Sequence, residues 1–299
     1  MNEVSVRDCA VSESRSSEAP IGIFDSGLGG LAVLWEVREA LPSENVLYLG
    51  DTARRPYGPQ PVDKVCEYAV EITGFLIQRG AKAVIIGCNT ASVAGAEAAR
   101  RAFPRVPVLD MVGPGVRAAI RATETGKIGV WGTALTIDSR AYDRAIRKVD
   151  PDAEVLGVAC PELLRLAEQG EIDDRAHLTQ LASDCFEPIG DFGADVLVLG
   201  CTDLTCVRDI AEAVAGEGVL VVDPAQEVVS EARQELEAIE ALRTEPEASG
   251  SYRYLITGDD EAPFAAFTAR FLEVSQVDVT RVPLDEVRQG KLASSCCRD

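Results

Sequence analysis

The sequence predicts an α/β fold made of two similar three-layer units with parallel-rich sheets. Three observations carry that prediction. Short apolar runs alternate with longer segments of helical period from residue 20 onward, the pattern of parallel strands joined by crossover helices. A length of 299 residues is enough for two domains of ordinary size. The chain also echoes itself: "IGIFDSG" followed by "AVIIGCNTA" resembles "KIGVWGTAL" followed by "VLVLGCTDL". Two such units facing each other would bring their strand ends together across one cleft, where open α/β sheets bind ligands.

Residues 1–19 are rich in Ser and Glu and are expected to be disordered. The strands expected from apolar runs are 21–25, 45–50, 83–87, 106–111, 127–132, 153–159, 195–200 and 218–223, with a late strand in "SYRYLITGDD". The helices expected between them span 29–41, 62–80, 91–102, 114–125, 136–149, 161–169, 174–190, 204–215 and 224–242. "APFAAFTARFLE" is read as a final amphipathic helix. The expected division is a first α/β domain of 20–112 plus 223–285, a second of 113–222, and a C-terminal tail of 286–299.

Composition excludes several classes. The net charge of −20 repels phosphate backbones and argues against nucleic-acid binding. The acidic surplus in "SEARQELEAIEALRTEPEAS" reads as a solvated helix face. No apolar run approaches the roughly 20 residues that span a bilayer. The N-terminus lacks the apolar core of a signal peptide, so a cytoplasmic protein is expected. The nine cysteines are scattered with no C-x-x-C pair, and a single histidine leaves little scope for a zinc site. Cys66, Cys160 and Cys185 read as small core hydrophobes, and Cys296 and Cys297 as exposed thiols of the tail.

The chemistry lies at strand ends. "DSGLGG" (25–30) is neither G-x-G-x-x-G nor a phosphate loop with its lysine. Asp25 and Ser26 suit an ammonium group, and the following backbone N–H groups suit a carboxylate. "GDTARRPYGPQP" (50–61) reads as a binding loop or lid, with Tyr57 presented on a proline-stiffened turn and the Gly58 N–H available. Cys88 and Cys201 each follow a strand-end glycine where a helix begins, which favours thiolate. Asn89, Thr90 and Thr202 add hydrogen-bonding groups beside them. No histidine is placed to act as base; His177 lies on an expected surface helix. Two facing thiols instead suggest an acid/base pair on opposite faces of one carbon, the requirement for racemisation or epimerisation without a cofactor.

"IGIFDSGLGG", "LGDTARRPYG", "VIIGCNTAS" and "VLVLGCT", in this order, resemble the glutamate racemases of the aspartate/glutamate racemase superfamily. So do "IGVWGTALTIDSRAY", "ACPELLRLAEQGE", "DPAQEVV" and "YLITGDDEAPFAAFTARFL", and the likeness covers about residues 20–285. The resemblance implies two α/β domains with the active site between them, a homodimer, no cofactor and no metal. It implies interconversion of L- and D-glutamate, supplying D-glutamate for peptidoglycan. By position it implies that Cys88 acts on the D-enantiomer and Cys201 on the L-enantiomer. Asp25 stands beside the first thiol, and Asp51 and Glu168 match assisting acids. Ser26, Tyr57, Gly58, Asn89, Thr90 and Thr202 match positions that hold the substrate's carboxylates and amine.

One position departs. Where the family reads Gly-Cys-Thr-His-Tyr-Pro, this chain reads Gly200-Cys201-Thr202-Asp203-Leu204-Thr205. An ionised Asp203 would raise the neighbouring thiol pKa and repel a substrate side-chain carboxylate. It can also take the thiol proton as a base, or stay protonated and donate. Superfamily members resembling aspartate racemases carry an acid here. The alternatives to a glutamate racemase are therefore a racemase for aspartate or another amino acid, and a racemase fold kept for binding or regulation.

Overall fold

A computed structural model describes residues 16–244 and 249–296, with backbone alone for 292–296. Within it, β1 (Ile21–Asp25) leads through a glycine turn to α1 (Leu31–Ala40), then β2 (Val46–Gly50), α2 (Val62–Gln78), β3 (Ala83–Ile86), α3 (Asn89–Ala102), β4 (Val108–Leu109) and α4 (Val112–Ala122). The chain continues with β5 (Lys127–Gly132), α5 (Ala134–Asp138), α6 (Ala141–Val149), β6 (Glu154–Ala159), α7 (Pro161–Gln169), α8 (Arg175–Phe192) and β7 (Val196–Gly200). A 3-10 helix (Thr202–Val207), α9 (Arg208–Ala215) and β8 (Leu220–Val222) follow. Last come α10 (Pro224–Ala238), β9 (Tyr252–Ile256), α11 (Glu261–Phe271), β10 (Val279–Arg281) and α12 (Leu284–Cys296).

These strands form two wholly parallel sheets, ordered β10-β9-β2-β1-β3-β4 and β6-β5-β7-β8. Parallel sheets need both faces covered, and strand alternation supplies a core on each. In β1, Ile21 and Ile23 pack with Val33, Leu34 and Val228, whereas Phe24 packs on the other face with Ile72, Phe75 and Leu76. The second sheet repeats the scheme. Trp131, Leu197 and Leu199 face Leu163, Leu178 and Ile210, while Val130 and Val198 face Val116 and Ile146. The first part of the acidic segment, residues 230–238, lies in α10, whose Val228, Val229, Ala232 and Leu236 are a buried stripe. Among the described residues, no helix is long and apolar enough to cross a membrane.

The structure departs from the sequence reading in four places. The expected helix 136–149 is broken at Arg140, whose φ of 50° is left-handed. The Ser139 hydroxyl donates to Thr136 O (2.6 Å) and accepts from Ala141 N (3.1 Å), fixing the bend. Helix 204–215 begins as the 3-10 turn. Residues 286–296 of the expected tail belong to α12, which docks on α2 and buries Val287. That crossing rests on glycines rather than an apolar stripe, since a Cβ on Gly74 would lie 2.1 Å from Gly290 O. Finally, residues 16–19 of the segment expected to be disordered are held in place. Lys82 Nζ donates to Ser17 O (2.7 Å) and Asn45 Nδ2 to Glu18 O (2.8 Å). Residues 1–15, Cys297 and the Cys296 side chain lie outside the described residues.

Candidate active site

The carboxyl ends of the two sheets meet at the paired motifs. Asp25 closes β1, and its Oδ1 accepts from Gly27 N at 2.6 Å, which bends the chain into the glycine turn. Thr202 Oγ1, from the second sheet, donates to Asp25 Oδ2 at 3.3 Å. Gly29 makes this approach possible. A Cβ there would lie 2.7 Å from Thr202 Oγ1 and 2.8 Å from both Asp203 N and Asp203 Oδ1. Gly29 of "DSGLGG" thus serves a close approach between the two units.

Cys88 is the N-cap of α3, and its Sγ accepts from Ala91 N (3.5 Å) and lies 3.9 Å from Ser26 Oγ. Cys201 precedes the 3-10 helix and donates to Asp203 Oδ2 at 3.4 Å. Both thiols are buried, at 5% and 6% exposure. The expectation of ready thiolates is overturned. Burial first, then the nearby Asp25 carboxylate, pushes the Cys88 thiol up. Burial and then Asp203 push Cys201 well up. Helix N-terminal stabilisation is outweighed by desolvation and like charge.

The carboxyls respond in the same direction. Burial raises Asp25 to about 6 against hydrogen bonds from Gly27 and Gly30 that lower it. Burial, with Asp25 and Glu168 nearby, holds Asp203 well above the ordinary carboxylate range. Glu168, on α7, rises to about 7 through burial and the charge of Asp25. Of the outcomes open to Asp203, burial and the neighbouring acids shift it toward the protonated one. Arg55 is the cation that offsets these acids, lowering both Asp203 and Glu168; its guanidinium is held by Asp260 Oδ2 at 2.9 Å.

Asn89, Thr90 and Gly58 join the same region. The Tyr142 hydroxyl donates to Asn89 Oδ1 (2.7 Å), and Asn89 Nδ2 is buried without a protein partner. Thr90 and Thr133 hydroxyls pair at 2.9 Å, and Gly58 packs on Thr133. Asp51 and Tyr57 do something else. The Tyr57 hydroxyl donates to Asp51 Oδ2, which also accepts from Arg54 Nε (2.6 Å), while Asp51 Oδ1 accepts from Thr257 (2.8 Å). Tyr57 is 1% exposed, so the side chain expected to be presented is instead a strut of its loop. His177 is exposed on α8. Sequence reasoning missed Tyr142, Thr133 and Arg55. Only "RR" in the polar loop and the aromatic of "DSRAY" were available as signals, and neither spacing shows what they reach.

Two parallel α/β units thus bring two buried thiols and the Asp25 and Asp203 carboxyls to strand ends joined by the Thr202–Asp25 hydrogen bond. The model of the Asp/Glu/hydantoin racemase family matches residues 34–232. A glutamate racemase from Beutenbergia cavernae is 43% identical over 273 residues, covering 88% of this chain and 92% of that protein. A glutamate racemase isoform from Bacillus anthracis superposes with a TM-score of 0.84 at 34% identity, over 90% of this chain and 98% of that one. The Francisella tularensis glutamate racemase, solved in complex with D-glutamate, gives a TM-score of 0.82 at 28% identity, over 90% and 99%. The chain belongs to the Asp/Glu/hydantoin racemase family and is an amino-acid racemase.

Proposed function

We propose that this chain interconverts L- and D-glutamate, without a cofactor, using Cys88 and Cys201 as the acid/base pair in a cleft between two domains. The observation that carries the reading is the pair of buried strand-end thiols, one from each sheet, joined through the Thr202–Asp25 hydrogen bond. The names of relatives such as the Beutenbergia and Francisella enzymes support glutamate as substrate.

The mechanism follows from charge. An amino-acid α-proton is far less acidic than a thiol, so the carbanion-like transition state must be stabilised by fixed donors. Asn89 Nδ2, Ser26, Thr90, Thr202 and the Gly58 N–H are the groups for the substrate carboxylates. The substrate ammonium is the natural counter-charge for Asp25, Glu168 and a thiolate, and its arrival lowers the thiol pKa that burial raises. Cys201 then takes the α-proton of the L-enantiomer while Cys88 delivers one to the opposite face; the D-enantiomer reverses the roles. The upward shift of Asp203 weakens its repulsion of the substrate's side-chain carboxylate. A cytoplasmic homodimer supplying D-glutamate for peptidoglycan fits this activity.

The test is α-proton exchange in deuterated water with each L-amino acid, alongside Cys88→Ser and Cys201→Ser. Glutamate is expected to exchange and racemise, and each serine variant to lose racemisation by at least about a thousandfold. Exchange with aspartate or another amino acid alone would transfer the reading to that substrate. No exchange with any from folded protein would mean that the fold serves binding or regulation.

A further inference from the structure

The groups assigned above to the substrate's carboxylates, Asn89, Ser26, Thr90, Thr202 and the Gly58 N–H, are all uncharged. The same region holds three acids, Asp25, Asp203 and Glu168. Glutamate brings two carboxylates and one ammonium. Once an acid answers the ammonium, a second carboxylate meets an acidic site and needs a cation. Resting on the racemase reading above, we propose that Arg55 is a specificity-determining residue whose guanidinium receives the substrate's side-chain carboxylate, selecting acidic amino acids over neutral ones.

The structure prepares Arg55 for this. One edge of its guanidinium is fixed, with Nη2 donating to Asp260 Oδ2 at 2.9 Å. Asp260 is itself held, because Thr52 Oγ1 donates to its Oδ1 at 2.7 Å. Thr52 Oγ1 accepts from Gly258 N (2.9 Å), and Ala53 N donates to Thr257 Oγ1 (3.0 Å). The loop is thus pinned to the turn between β9 and α11, and the arginine is pre-organised. Its other edge lies over the turn after β1. A Cβ on Gly27 would stand 3.5 Å from both Arg55 Cδ and Nη1. Gly27 N is the donor that holds the Asp25 carboxyl at 2.6 Å, so this edge lies beside the strand end. The side chain is 28% exposed and open to a ligand. Its charge lowers both Asp203 and Glu168 against their burial.

The neighbouring arginine does not compete for this role. Arg54 is 7% exposed, with Nε on Asp51 Oδ2 and Nη1 on Glu71 Oε2, each at 2.6 Å. Two carboxylates already neutralise it. The planar fork of a guanidinium matches a carboxylate, and Arg55 has one side of that fork spent on Asp260 and one toward Gly27. The thiols bond within their own turns, Cys88 to Ala91 N and Cys201 to Asp203. Arg55 comes from a different loop, and so suits a group remote from the reacting carbon. The glutamate side-chain carboxylate, two methylenes away, is such a group.

The test is steady-state racemisation of L- and D-glutamate by Arg55→Gln and Arg55→Lys, with α-proton exchange of L-glutamine in deuterated water as the neutral comparison. An interaction made equally in ground and transition states shows in KM and not in kcat. In Arg55→Gln, KM for glutamate is therefore expected to rise at least about tenfold while kcat stays within about threefold. The ratio of glutamate to glutamine exchange should fall at least about tenfold. Arg55→Lys keeps the charge but loses the fork, and should recover part of the KM. An unchanged KM for glutamate, or equal losses with glutamate and glutamine, would overturn the assignment. Where glutamine exchange is below detection, the split between KM and kcat decides. Arg55→Lys carries the test through the same split if Arg55→Gln fails to fold. Wild-type glutamate racemisation beside an unaffected Arg55→Gln sinks the Arg55 assignment alone. Wild-type protein that exchanges no amino acid sinks the racemase reading with it.

Discussion

Replacing Asp25 by asparagine should stabilise the protein at high pH relative to low pH. The side chain is 1% exposed and its pKa is raised from 3.8 to about 6, chiefly by burial. A carboxyl with a raised folded-state pKa ionises more easily in the unfolded chain. Its stability contribution is therefore intact below the unfolded pKa and lost as pH rises through the folded one. Each pKa unit is worth about 1.4 kcal/mol, so the full loss is roughly 3 kcal/mol, most of it between pH 4 and pH 8. Asparagine keeps an oxygen for the 2.6 Å bond from Gly27 N and carries no charge to desolvate. The assay is urea unfolding of wild type and Asp25→Asn at a series of pH values. Taking the difference cancels every group the two proteins share. The variant should gain about 2 kcal/mol relative to wild type from pH 4 to pH 8. A difference that stays flat with pH would refute the claim that burial governs Asp25. The protein keeps this buried carboxyl at the expense of stability, an arrangement common at functional sites.

Two further outcomes follow from packing and burial. Gly290→Ala places a Cβ 2.1 Å from Glu71 O and 2.4 Å from Phe75 N, where α12 crosses α2. A loss of about 1–3 kcal/mol is expected in thermal or urea unfolding, from overpacking against backbone that cannot yield. Cys88 and Cys201 should alkylate with iodoacetamide at pH 7 at least about tenfold more slowly than a free thiol, because both are buried and protonated. Mass-spectrometric mapping at timed intervals reads this directly, and rapid labelling of either would contradict the direction of its pKa.

The sequence by itself determined the two-unit α/β organisation and the strand-end positions of Cys88 and Cys201. Both are written in local pattern: apolar runs of strand length, and Gly-Cys-polar exits repeated at 87–89 and 200–202. It also marked Asp203 as the departure from the family, since that needs only the identity of one residue. What it left open depends on distant partners. The helix break at Arg140 is local, yet its purpose, bringing Tyr142 to Asn89, spans two sheets. Helix α12 escaped notice because a glycine-on-glycine crossing carries no apolar period. Tyr57 read as a ligand-facing ring because its partner Asp51 is drawn beneath it only by the folded loop. The tertiary structure alone decided the direction in which the site's pKa values shift. A helix N-terminus is visible in a sequence, whereas the water removed around two thiols and three carboxyls is a property of the assembled interior, and desolvation is the larger force.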